Sequence, residues 1–404
     1  MSTRSEALEN LNAYVKYSGA NYRSNRNYAE KLGTRQNVSS LSPYIRYRLI
    51  SEEEVILQVL TQNSYSAAEK FIQEVFWRTY WKGWMQLRPH LYDVYLDEVH
   101  YLRENLKVNN ALEENYLAAI NGQTGIACFD DWLTELVETG YLHNHVRMWF
   151  ASIWTFTLNL PWQLGADFFM EHLLDGDQAV NTLSWRWVAG SQTKGKNYIA
   201  RAENIHKYTK GDYFPAGQLN ENPQPIVDNW ETTVEELNSY VAPGELDTWG
   251  LVMAHEDLSP ETWLALKEIP VLLVDGNSEA LKGNRSIKVS EFIAGAQEDF
   301  LNRCKESSIN AQIVTNPDSE LVFNWAIEHQ LKAVLWLDAG VGPWHTEAMK
   351  LTSLLKDHGI ATQPVARDYD GRCWPLARKG FFKFKERIPT LIKSLGPQQE
   401  LFHS

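Results

Sequence analysis

From about residue 50 to 190 the apolar residues return every three or four positions. "SEEEVILQVL", "AAEKFIQEVFWRTYWKGWM" and "FDDWLTELVETGYL" each put them on one helical face, with acidic residues near several starts and Gly140 near one stop. Residues 208–247 lose this period, interrupted by Gly211, Pro215, Gly217, Pro223, Pro225, Pro243 and Gly244, and read as a long connection. Beyond it the pattern alternates. "WGLVMAH", "IPVLLVDG", "AQIVT", "KAVLWLDAG" and "IATQPVA" read as strands, while "SEFIAGAQEDFLNRCKES", "SELVFNWAIEHQ" and "TEAMKLTSLLKDHG" read as helices. Strand and helix in alternation imply a parallel sheet with right-handed crossovers. The expected fold class is multidomain: an all-helical domain over 1–207, a linker over 208–247 and an α/β domain over 248–404.

Composition narrows the chemistry. The 404 residues are 44% hydrophobic, 22% charged and 12% aromatic, the profile of a globular protein, but 16 Trp is far more than core filling needs. Trp at this density suits stacking surfaces, a large planar ligand or electron-transfer positions, while any one of them can equally serve as bulk in a large helical core. A net charge of −13 argues against a broadly basic nucleic-acid binder and leaves room for a local basic patch. Cys128, Cys304 and Cys373 share no metal-ligand spacing, so no metal site is expected, and an odd number of thiols suits a reducing compartment. "MSTRSEALENLNAY" has no apolar h-region, and the uncharged run Met148–Ala166 reads as a buried helix ending near Pro161, so a cytoplasmic location is expected. The α/β glycines form neither a GxGxxG nor a P-loop.

Two polar stretches stand out among the aromatics, "ETGYLHNHVRMWF" (138–150) and "DGDQAVNTLSWRW" (175–187). A helix starting within the first places Asn144, Arg147 and Met148 within one turn. A buried Arg147 needs a carboxylate; Asp175 can supply it, leaving Asp177 free to accept from a ligand N–H, although a structural ion-pair network accounts for the same residues. In "QNVSSLSPYI", Ser39, Ser40 and Ser42 precede a helix start that can bind an anion or simply be capped. "EVFWRTYWKGW" sets Glu74, Arg78 and Trp81 on one face with Trp77 beside Arg78, which suits stacking on a base or a half-buried amphipathic helix.

Taken together, the segment 120–190 resembles the FAD-binding domain of the DNA photolyase and cryptochrome family, through "GQTG", "TGYLHNHVRMWFAS", the Trp of "LPWQLG", "DGDQAVN" and "WRW". The likeness extends to "VSSLSPYI" and "FIQEVFWRTYW". "WGLVMAHEDLSPETWLALKEIPVLLVDG" resembles the strand and turn that open the family's Rossmann-like α/β domain, and "CWPLARKGFFKFKERIP" resembles the segment that ends it. In the family that domain comes first, so the resemblance implies a circular permutation.

The resemblance implies FAD held in the helical domain, with Ser39, Ser40, Leu41 and Ser42 along its phosphates, Val38 where the family usually has Thr, and Tyr28 at the upstream Tyr position. Asn144, Arg147, Asp175 and Asp177 would surround the isoalloxazine and Asn181 would face flavin N5. Trp185 and Trp162 match the inner members of an electron-transfer chain. The third position falls near Asn109, so an exit through Tyr101, Tyr116 or another Trp is required. Glu74, Trp77, Arg78, Asn144, Met148 and Trp187 match residues that contact a flipped-out cyclobutane dimer, with His145 where those enzymes usually carry Arg. The function so implied is light-driven repair of UV-damaged DNA, single- or double-stranded, by a deoxyribodipyrimidine photolyase, with a rim formed by Arg46, Arg48, Lys82, Arg88, Lys194, Lys196 and Arg201. The alternative is a cryptochrome-like blue-light photoreceptor with a protein partner. "LWLDAGVGPWHTEAMK" lies where the family carries antenna contacts without keeping their residues, so a second chromophore is left unassigned.

Overall fold

The computed structural model describes residues 2–30, 36–240, 248–315 and 319–395; Pro243 and Gly244 lie outside the described residues. The main helices of the first half are α1 (Arg4–Tyr14), α2 (Glu52–Leu60), α3 (Tyr65–Gln86), α4 (His90–Leu106), α5 (Asn110–Ile120), α6 (Ala127–Thr139), α7 (Asn144–Ser152), α8 (Trp162–His172), α9 (Gln178–Ala189) and α10 (Ala202–Tyr208). The second half carries strands β1 (Trp249–Met253), β2 (Val271–Val274), β3 (Ala311–Val314), β4 (Ala333–Leu337) and β5 (Ala361–Val365). With them run helices α11 (Ile287–Glu306), α12 (Ser319–Glu328), α13 (Pro343–Asp357), α14 (Asp368–Cys373) and α15 (Phe381–Lys385). All five strands fall where the alternating pattern put them.

The chain divides into two compact units, and they run differently from the segments 1–207, 208–247 and 248–404: one consists of Met1–Gly19, Ser39–Pro89 and Val234–Ser404, the other of Ala20–Val38 and His90–Thr233.

In the first unit the strands form one parallel sheet in the order β3-β2-β1-β4-β5, with Leu251 opposite Val271 on one side and Leu335 on the other. Central strands β1, β2 and β4 are continuous apolar runs because both their faces are covered. β3 and β5 are partly exposed edges, and Pro364 is tolerated in β5 for that reason. Val252, Leu272, Trp325, Trp336, Trp344 and Leu355 form a core, and the Trp344 indole donates to the Leu337 carbonyl at 2.8 Å. Helix α3 belongs here as well: a Cβ on Gly83 would stand 2.8 Å from the Trp374 backbone, so glycine lets the helix approach that turn.

A buried chain of alternating charge ties the unit together. Arg48 donates to both oxygens of Asp370 at 2.7 Å, to Glu52 at 3.2 Å and to Asp257 at 3.3 Å. Arg367 grips Asp257 through two nitrogens at 2.6 and 2.7 Å, and Arg78 reaches Glu52 at 3.1 Å. Burial alone would raise the Asp257 carboxyl, but Arg367 and Arg48 outweigh it and hold the group below the usual carboxylate range.

In the second unit α6 ends at Gly140, whose φ of 69° is the left-handed cap that glycine adopts without strain. Helix α7 follows with His143 as its cap, then widens into a π-turn over Ile153–Thr157, closed by Leu158 N–H donating to the Ile153 carbonyl at 2.9 Å. Leu160 and Pro161 separate that turn from α8, so the uncharged run breaks near the expected proline. The stretch read as a linker is anchored rather than free: Arg186 makes a bidentate pair with Asp228, Ser191 donates to the Ile226 carbonyl, and the Trp230 indole donates to Glu98 at 2.8 Å. Proline and glycine abolish the helical period there without abolishing packing.

Candidate functional site

Within the helical unit the two polar stretches meet. Arg147, on the first turns of α7, donates through Nε to the Leu142 carbonyl and through one terminal nitrogen to Asp175 Oδ2, each at 2.9 Å. The sequence pairing of Arg147 with Asp175 is thus present. The other Asp175 oxygen is buried without a hydrogen-bond partner, and the second terminal nitrogen of Arg147 has none among the described residues. An open N–H donor and an orphaned acceptor therefore sit on one ion pair. A buried unsatisfied oxygen is costly, and this pairing of groups fits a heterocycle edge carrying both C=O and N–H, as the flavin ring does.

Asp177 differs from the expectation. It caps α9, accepting from the Val180 N–H at 3.0 Å, so it is not left free as the spacing suggested; an Asp just before an apolar helical run is a cap first. One turn into α9, Asn181 donates its amide to the Ala166 carbonyl at 2.8 Å. That bond fixes the rotamer and turns the side-chain oxygen toward other partners. Trp185 is buried edge-on to Phe169 with ring centroids 4.9 Å apart, and it fills the notch above Gly165, where a Cβ would come within 2.4 Å of the indole.

His145, expected at the lesion, is engaged inside the protein. One ring nitrogen meets the Asn27 carbonyl at 2.9 Å, the other meets the Tyr198 hydroxyl at 3.0 Å, and the ring stacks on Trp149 at 4.2 Å. Burial lowers its pKa, opposed by the Asn27 carbonyl. Met148 is half-buried, and half-buried Trp187 stacks on Tyr198 at 5.9 Å. Tyr28 lies edge-on to Tyr208 at 5.3 Å, and Asn37 donates to the carbonyls of Asn25 and Tyr28, holding the chain just before half-buried Val38.

The remaining expected residues belong to the sheet unit. Ser39 Oγ accepts from Leu41 N–H at 3.4 Å, Ser40 has a φ of 52°, and Ser42 opens a helix of only five residues. On α3, Glu74 is half-buried and Arg78 is committed to Glu52. Trp77 is stacked on Phe381 with centroids 3.5 Å apart and planes 13° from parallel, which takes one ring face away from any base. Sequence spacing could not foresee Phe381, which lies some 300 positions away. The basic rim is corrected in the same way: Arg46, Arg48, Lys82 and Arg88 are buried, and only Lys194, Lys196 and Arg201 are exposed.

Around Trp162 the sequence missed two neighbours. Tyr95 stacks on it at 5.9 Å and Trp230 lies 5.8 Å away, while Asn109 is an exposed cap of α5. Tyr116 reaches Trp154, not Trp162, at 5.9 Å, and Trp154 lies 6.2 Å from Trp185. Trp230 escaped notice because it lies in the proline-rich stretch.

Residues 71–215 match the family model of the FAD-binding domain of DNA photolyase. Among curated proteins the chain is similar to the deoxyribodipyrimidine photo-lyase of Alkalihalophilus pseudofirmus, 27% identical over 246 residues that cover 58% of this chain and 49% of that protein. The enzyme of the same name from Vibrio cholerae is 28% identical over 180 residues, 42% of this chain and 37% of that one. The chain thus spans about half the length, or less, of these relatives. Among solved structures it overlays a bacterial class III photolyase from Agrobacterium tumefaciens with TM-score 0.40 and 23% identity over 53% of this chain and 44% of that one. An archaeal photolyase from Sulfolobus tokodaii overlays with TM-score 0.41 and 24% identity over 56% and 53%.

The family-model match makes residues 71–215 an FAD-binding domain of the DNA photolyase type, with FAD as the cofactor. Over part of its length the chain is similar to deoxyribodipyrimidine photo-lyases. No described helix is long and apolar enough to cross a membrane.

Proposed function

We propose that this protein is a deoxyribodipyrimidine photolyase, in which bound, reduced FAD supplies light-driven one-electron chemistry that splits cyclobutane pyrimidine dimers in DNA. The observation that carries the reading is Asn181, buried on α9 with its amide locked to Ala166. In the family that position faces flavin N5, and Asn is its repair-type residue. Arg147 and Asp175 would bind the ring edge, and the aromatic walls of Trp185, Phe169 and Phe150 would exclude water. Ser39, Ser40, Leu41 and Ser42 would take the phosphates, with Tyr28 and Val38 flanking them. Glu74, Asn144, Met148 and Trp187 remain candidates for the flipped dimer, whose extrusion costs least when the base pairs are already damaged. Exposed Lys194, Lys196 and Arg201 would meet DNA phosphates. That the α/β segment follows the helical one supports a circularly permuted order.

The second reading, a blue-light photoreceptor acting on a protein partner, is favoured by His145 and Trp77. His145 replaces the Arg that repair enzymes usually carry and has both ring nitrogens engaged inside the protein, and Trp77 has one face stacked on Phe381.

The deciding assay is repair of a cyclobutane dimer in a short single-stranded oligonucleotide by chemically reduced, FAD-loaded protein under blue light. Light-dependent recovery of intact thymines supports the photolyase. No recovery with FAD bound and reduced rejects it in favour of the photoreceptor.

A further inference from the structure

A second concavity lies in the helical unit, on the side of Trp162 where the anchored 226–231 stretch passes α4. It is an open cleft of about 690 Å³, bounded by the first three turns of α4, by Thr155, by Leu160–Gln163 and by Ile226–Glu231. That volume falls in the range of small-molecule sites. Its walls are mostly apolar, from Leu91, Val94, Leu160, Pro161 and the two indoles of Trp162 and Trp230. At its rim Val227 is 84% exposed and Ile226 is exposed beside it, an apolar pair left in water with nothing covering it.

Two polar features say what would fill it. Thr155 lies on the π-turn, is buried, lines the cleft, and its hydroxyl has no hydrogen-bond partner. A π-turn costs regular helical hydrogen bonding and is often kept where it aims a side chain at a ligand. The second feature is charge. Glu98, Asp228 and Glu231 line the cleft; among the described residues no Lys or Arg does, and the one histidine, His90, has a ring nitrogen on the Glu231 carbonyl at 2.9 Å. Asp228 is neutralised by Arg186, but the Glu98 carboxylate accepts only from neutral donors, the Trp230 indole and the Gln163 amide, each at 2.8 Å. No cation pairs with it among the described residues: Arg186 lies over the Trp230 ring at 4.6 Å but is committed to Asp228, so the carboxylate repels anions and attracts a positive group.

We propose that this cleft is a binding site for a small aromatic molecule carrying an amine: the ring between the apolar walls, the ammonium toward Glu98, and an N–H donated to Thr155. Phosphorylated ligands are excluded by the same carboxylates. The site shares no lining residue with the Arg147–Asp175 pair, and the inference stands whichever way the repair assay turns out.

The test uses FAD-loaded full-length protein and two probes with one ring and opposite charge, tryptamine and indole-3-acetate, titrated calorimetrically. Tryptamine is expected to bind saturably at one site per chain, at least about tenfold more tightly than indole-3-acetate, the scale of a charge-assisted contact. Thr155→Val and Glu98→Gln should each weaken tryptamine about five- to tenfold, and Glu98→Gln should also erase the preference over indole-3-acetate. Val227→Arg, a surface change that leaves the fold intact, should weaken tryptamine and improve indole-3-acetate. Flavin absorbance should stay unchanged on titration. The proposal is overturned if neither probe saturates at millimolar concentration, if indole-3-acetate binds as well as tryptamine, or if Val227→Arg leaves both affinities untouched.

Discussion

Replacing Gly165 by Ala adds one methyl group to α8 at the point where it faces Trp185. The new Cβ would stand 2.4 and 2.5 Å from two Trp185 ring carbons and 2.9 Å from the Trp154 indole nitrogen. Ordinary carbon contacts lie at about 3.5–4.0 Å, so roughly an ångström of overlap has to be relieved. Neither ring is free to give way: both are buried, and Trp154 is held by its hydrogen bond to the Pro161 carbonyl at 2.9 Å. Overpacking of this kind costs about 1–3 kcal/mol, while the helix gains about 1 kcal/mol from Ala over Gly. An overlap of about an ångström against two held rings falls in the upper half of that cost, so the expected net effect is a destabilisation of up to about 2 kcal/mol, or up to roughly 8 °C in melting temperature for a unit of this size. Thermal denaturation followed by circular dichroism reads it directly. A double-mutant cycle with Trp185→Phe sharpens the test: with the larger ring gone, the same Ala should become neutral or stabilising, a coupling of about 1–3 kcal/mol. If Gly165→Ala melts at or above the wild-type temperature, or costs the same in both backgrounds, the Trp185 notch is not what requires glycine.

Asp175→Asn should uncouple Arg147 from its carboxylate, destabilise the helical unit by about 1–3 kcal/mol, and lower flavin content after gel filtration; full retention of FAD with unchanged melting would remove this pair from the site. His145 is held neutral by burial, with its pKa below the usual histidine value. Its contribution is therefore complete above the unfolded value of about 6.5 and is lost as pH falls through the lower folded value. Urea unfolding at neutral pH and one to two units below should show a steeper loss for wild type than for His145→Phe, and parallel losses would contradict it. Asp370→Asn removes the bidentate carboxylate of Arg48, leaving Glu52 and Asp257, and should cost about 1–3 kcal/mol, whereas Arg48→Met leaves Asp370 buried without its guanidinium and should cost about 3–5 kcal/mol; chemical denaturation of the two variants gives the comparison.

Much of this was legible from residue pattern. The five strands are short β-branched and Leu-rich runs between helical stretches of amphipathic spacing, and local periodicity suffices to find them. The Arg147–Asp175 pair was legible because a guanidinium among aromatics has to find a carboxylate. What escaped were long-range occupants: Phe381 on Trp77, Tyr198 and Asn27 on His145, and Asp257 and Asp370 on Arg48. A side chain's partner set decides whether it is available, and spacing carries no record of partners that lie 53 or more residues away. Trp230 and its cleft escaped for the opposite reason, because proline and glycine hide packed, extended chain as effectively as they mark loose loops.

The sheet unit is assembled from three separate lengths of chain and the helical unit from two, so the polypeptide passes from one to the other four times, near residues 19, 38, 89 and 233. No single cut yields two self-sufficient pieces. A fragment starting at 248 would keep every strand yet lose α3, baring the Trp374 turn that Gly83 covers and leaving Asp257 and Asp370 without Arg48. The gene therefore resists modular shuffling: neither half can be exchanged, duplicated or expressed alone as a cassette, and an insertion is best accommodated at a surface turn that belongs wholly to one unit.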